Sequence, residues 1–250
     1  MKAPLEGQFQ EGQVEEEQAV EEQAVELQIF NPLASLCQEL PHIASQIPYN
    51  HPSQQKSLAL LEHLEMSVKF SEVIRVHGIK LYRGLGEYFN ECEPLAKGFY
   101  CRSEEGARRL INFCALQARL ASVGRVDAKD QAVEWFRIAL EGYTDKYDAI
   151  NDRCSKDAIV KAAALWILCG GQYLYNELAL YPAQLEDDEI SSYAPGKLYT
   201  GPILGLERWM FWQRRFAALA GQTTTLDAEA CAMARKAANV MAVLATEVEW

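Results

Sequence analysis

The chain has 250 residues, an apolar fraction of 49% and a formal net charge of −11, which is ample apolar material for a buried core and excludes a wholly disordered chain. Eight glutamates against Lys2 put −7 on residues 1–28 and leave −4 on residues 29–250. Neither part carries the surplus of Lys and Arg that a phosphate backbone demands, so no nucleic-acid partner is expected.

Seven cysteines form no close Cys-x-x-Cys pair, no basic start leads into an apolar run, and no Asn-x-Ser/Thr acceptor occurs. These features predict reduced thiols in a cytoplasmic protein. Glu16-Glu17-Gln18-Ala19-Val20 repeats as Glu21-Glu22-Gln23-Ala24-Val25. A period of five builds neither a helical nor a strand face, and dense like charge repels itself. Residues 1–28 are therefore predicted to be a disordered acidic tail, and residues 29–250 a helical domain.

Four prolines in 31–52 permit one short helix, Leu33–Leu40, and then an irregular connector. From Ser53, a candidate cap, apolar residues Leu58, Leu61, Leu64 and Val68 recur at helical steps until Gly84 and Gly86 interrupt, and Pro94 ends the next short piece. Ser103 is the predicted N-cap of a helix running through Leu110, Phe113 and Leu120 to Gly124, with Glu104 and Glu105 favourably placed against its dipole. Asp127 is expected to cap the next, which carries Val133, Phe136 and Leu140 and ends near Gly142. Ser155 with Asp157 is expected to open a third. Its interior Gly170-Gly171 costs roughly 1 kcal/mol per glycine relative to alanine, which predicts close approach of a neighbouring backbone. The apolar run Ala162–Gly171 is shorter than the roughly 20 residues that cross a bilayer, so no membrane is expected.

Residues 181–204 read as a long loop. A helix from Leu206 to Ala220 follows, and Asp227 opens an alanine-rich last helix. No alternating strand appears, and the punctuation supports an all-α class, a single irregular multi-helix bundle.

Reaction motifs do not emerge. The histidines His42, His51, His63 and His77 are not at ligand spacing, and no His-Glu-x-x-His, Gly-x-Ser-x-Gly or phosphate-binding loop occurs. No cofactor and no metal are expected. Asn151-Asp152-Arg153-Cys154-Ser155 resembles the start of a magnesium motif of helical terpene enzymes. Ile159 stands where that motif needs a glutamate, and Asp187-Asp188-Glu189 falls in the expected loop, so convergent oxygens are not supplied.

In the aromatic helix Trp209, Trp212, Phe216 and Leu219 share one stripe, and Arg208 and Arg215 share another beside Phe211. The plainer reading of the stripe is core packing. The sharper one sets the arginines at the edge of an aromatic-lined cavity that holds an anion, with Trp166, Arg208, Trp209, Trp212 and Arg215 as candidate ligand-binding residues. Glu207 is the competing, plainer answer: it can pair with Arg208, Arg214 or a neighbour elsewhere.

Two stretches carry a resemblance. One is Lys161–Tyr175, an alanine-rich run through Trp166 to Gly170-Gly171-Gln172-Tyr173. The other is Gly201–Phe216, a glycine-rich approach followed by Glu207-Arg208-Trp209-x-x-Trp212-x-x-Arg215-Phe216. They resemble a fungal family known as a domain of unknown function, over roughly residues 55–248. The resemblance implies an all-helical intracellular fungal protein and carries over no catalytic residue. Some relatives look like members of secondary-metabolite gene clusters. Three functions follow as expectations: a non-catalytic accessory or regulatory protein with a protein partner; an enzyme or carrier for a hydrophobic small molecule; and a homo-oligomer joined through the last helix.

Overall fold

The computed structural model describes residues 39–66, 103–142, 153–182 and 184–246. Among these residues every regular element is helical and no strand occurs. The acidic segment 1–28, the glycines at 84 and 86, and the expected Leu33–Leu40 helix as far as residue 38 lie outside them.

Residues 39–46 are helical, so this element runs past the expected stop at Leu40 and through Pro41. Helix α1, Pro52–Glu65, starts with proline at its first position, where the missing N–H would have no helical partner. His51, not Ser53, serves its first turn: the Ser53 N–H donates to His51 Nδ1 at 3.1 Å. Helix α2, Glu104–Ser122, begins as the sequence indicates, with Ser103 Oγ accepting from the Gly106 N–H at 3.0 Å. From α2, Asn112 accepts from the Tyr49 N–H and donates to the Ser45 carbonyl, and Arg119 Nη2 donates to the Tyr49 carbonyl at 2.9 Å. The proline-rich connector is thereby pinned to the bundle by side-chain hydrogen bonds, of which the one from Asn112 to the Ser45 carbonyl is buried.

Helix α3, Lys129–Leu140, has Ala128 at its N-cap with no side-chain cap bond. The expected cap, Asp127, points elsewhere: its carboxylate meets Lys129 Nζ at 2.9 Å and the Tyr173 hydroxyl at 3.2 Å. Past its end Gly142 adopts φ +69, the left-handed conformation that glycine reaches at little steric cost.

Helix α4, Arg153–Tyr175, starts two residues before Ser155 and continues into a π-helical segment, Asn176–Leu180. It kinks at Gly170 (φ −135, ψ 16), where a Cβ would lie 3.0 Å from the Ala118 carbonyl oxygen. The close backbone approach expected of the glycine pair is therefore real, and it belongs to Gly170. By length and composition the stretch Lys156–Leu180 is apolar enough to cross a membrane, a longer run than the sequence reading allowed. In the fold 78% of its most apolar window is buried against other helices.

The expected loop 181–204 contains helix α5, Asp187–Tyr193, so Asp187 and Glu189 are helical. A capping box starts it: Glu189 accepts from the Glu186 N–H at 3.0 Å, and the Glu186 side chain accepts in return from the Glu189 N–H. Helix α6, Leu206–Leu219, matches its expected span to one residue, and Trp209, Trp212, Phe216 and Leu219 are all buried. Helix α7, Ala228–Thr246, is capped by Asp227, whose Oδ1 accepts from the Ala230 N–H at 2.6 Å.

Helix α4 lies at the centre and packs against α2, α3 and α7. It runs in the same direction as α7: Lys161 meets Asp227 and Glu229, and Gly171 faces Val240 and Leu244. Helices α6 and α7 run oppositely, with Leu219 and Ala220 beside Cys231 and Arg235, and Trp209 beside Met241. One apolar cluster reaches from Leu40 to Leu244 and includes the buried Trp135, Trp166, Trp209 and Trp212. Truncating any of these tryptophans to alanine costs on the order of 3–5 kcal/mol.

Candidate functional site

Glu141 closes helix α3 as its C-cap residue, and its side chain is fully buried. A carboxylate there opposes the negative end of the helix dipole and must be compensated. Arg208, in the first turn of α6, supplies the compensation: Nε donates to Oε1 at 2.7 Å and Nη2 to Oε2 at 2.9 Å. The indole N–H of Trp212 donates to Oε1 at 2.6 Å, and the backbone N–H of Gly196 to Oε2 at 2.7 Å. Four donors fill the acceptor positions of a carboxylate.

The arginine is committed as completely. Its Nη1 donates to the Tyr193 carbonyl at 2.6 Å and to the Ile203 carbonyl. Its guanidinium carbon sits 5.1 Å from the Trp212 ring centroid and 5.7 Å from that of Tyr199. The Glu141 carbonyl accepts from the Leu198 N–H at 2.9 Å, and the Leu140 carbonyl from Arg215 Nε at 2.9 Å. Two carbonyls of the last turn of α3 are satisfied in this way by the loop and by α6.

The sequence-derived candidates thus fall into three places. Arg208, Trp212 and Arg215 meet at the end of α3. Trp209 faces the other way: its indole N–H donates to the Met241 carbonyl at 3.2 Å, and its ring lies 5.1 Å from that of Tyr175. Trp166 is buried on α4 with its indole N–H unpartnered, and no hydrogen bond or ring contact among the described residues joins it to the other four. The partner of Arg208 is Glu141, not Glu207. One sequence signal did point to it: a glutamate at a helix C-terminus, against the dipole, calls for a cation.

A second polar joint ties the starts of α4 and α7. Lys161 Nζ donates to Asp227 at 2.7 Å and to Glu229 at 2.6 Å, and Glu229 also accepts from the Tyr49 hydroxyl at 3.0 Å. The Lys161 hydrogen bond, with help from Tyr49, holds the Glu229 carboxyl below its ordinary value. Burial pushes Asp227 upward, but the Ala230 N–H and Lys161 outweigh it and leave the carboxyl lowered. Burial likewise depresses Lys161, and its two carboxylate partners raise it above the ordinary lysine range. Among the described residues no group of three or more His, Cys, Asp or Glu side chains is arranged to hold a metal ion. Cys114 and Cys231 are buried thiols outside any disulfide, and Cys169 is a half-buried one.

A family model described as "Protein of unknown function (DUF3632)" matches residues 38–216, a span that contains Glu141, Gly196, Arg208 and Trp212 and stops before α7. No curated protein and no solved structure matches the chain.

Proposed function

The chain belongs to the family of proteins of unknown function DUF3632, and from that premise we propose that it is a non-catalytic accessory or regulatory protein that works by binding. One observation supports this reading above others. An assembly of reactive-looking side chains among the described residues, Glu141 with Arg208 and Trp212, is turned inward and saturated. A general acid or base must reach the proton it transfers. Glu141 instead joins the end of α3, the 193–205 loop and α6. The resemblance of segments 161–175 and 201–216 to fungal proteins, some of them in secondary-metabolite gene clusters, supports a cytoplasmic role beside such a pathway.

A second reading, a carrier or enzyme for a hydrophobic small molecule between helices, has its own support. Both amide atoms of the fully buried Gln117 on α2, and the Trp166 indole N–H on α4, have no hydrogen-bond partner. Buried polar groups of this kind are normally satisfied, and a bound molecule would satisfy them.

Deletion of the gene in its native host, followed by untargeted metabolite comparison, separates the two. An accessory role predicts altered amounts of end product with no new intermediate. Accumulation of a single intermediate, restored by the wild-type gene, would move the assignment to an enzyme or carrier.

A further inference from the structure

We draw no further inference here: the strongest candidate, the buried side-chain pair of Gln117 on α2 and Trp166 on α4, whose polar atoms have no hydrogen-bond partner, belongs to the small-molecule reading already described, and no contact among the described residues joins the two side chains into one site.

Discussion

Glu141 and Arg208 stand 67 residues apart in sequence and meet through two parallel hydrogen bonds, with neither side chain exposed to solvent. A pair in this setting is worth little over an apolar replacement, yet breaking it leaves a buried charge without its counter-charge. Arg208→Met and Glu141→Gln are therefore each expected to lower stability by about 3–5 kcal/mol in urea unfolding. The double variant should lose distinctly less than the sum of the two. Arg208→Lys should behave more like Met than like Arg, because an ammonium cannot bridge both oxygens and still hold the Tyr193 and Ile203 carbonyls. Strictly additive losses would show that the two side chains are energetically independent.

Gly196 carries the loop to that pair and lies against its backbone. A Cβ there would come within 2.6 Å of the Glu141 carbonyl oxygen and 2.7 Å of the Glu141 Cβ. Neither atom is the end of a flexible side chain, so the loop must move, and the 2.7 Å bond from the Gly196 N–H to Glu141 moves with it. Gly196→Ala should cost about 1–3 kcal/mol, as overpacking generally does. A thermal melt unchanged from wild type would mean that the loop is free to shift.

These two positions also mark the limit of what the sequence alone reveals. The aromatic stripe of α6, the Ser103 and Asp227 caps and the close approach at Gly170 were readable, because each follows from residues within a turn or two of one another. Asp127 misled because a side chain favoured at helix starts has a second use: it pairs with Lys129 and Tyr173. Helix α5 was hidden because its N-cap is Glu186, a residue outside the usual capping set. The arginine site was half visible. Arg208 stands out in the sequence, but its partner closes a different helix, and burial at long sequence separation leaves no periodic trace. Only the placement of Glu141 against a helix dipole hinted at it.

The joint of Lys161 with Asp227 and Glu229 should show in the pH dependence of stability. Both carboxyls are held below their ordinary values, so the stability they contribute is present above the unfolded carboxylate range and is lost as pH falls through their folded values. Lys161 is raised, so its contribution is complete below the ordinary lysine range and fades as pH rises through the folded value. Wild type and Lys161→Met compared by urea midpoint should differ most near neutral pH. The gap should narrow below about pH 4, where carboxylates protonate, and again at strongly alkaline pH. Both carboxylates are partly exposed, so added salt should also reduce the gap. A difference independent of pH would assign the lysine's contribution to its packed methylene stem.

The adjacent glycines of α4 should respond to alanine with opposite signs, although the sequence gives them equal cost. At Gly170 the helix is already distorted (φ −135), and a Cβ would sit 3.0 Å from the Ala118 carbonyl oxygen on α2, a backbone atom. At Gly171 the nearest atoms are the Cδ1 of Leu244 and the Cγ1 of Val240, both at 3.4 Å, an ordinary contact with side chains. Gly171→Ala therefore gains helix propensity, up to about 1 kcal/mol, and fills space between α4 and α7. Gly170→Ala meets a carbonyl that moves only if α2 moves, and should lower stability by about 1–2 kcal/mol. Denaturation midpoints of the two variants measure this directly. A stabilising Gly170→Ala would mean that the kink is a local choice of the helix and not the consequence of α2 pressing against it.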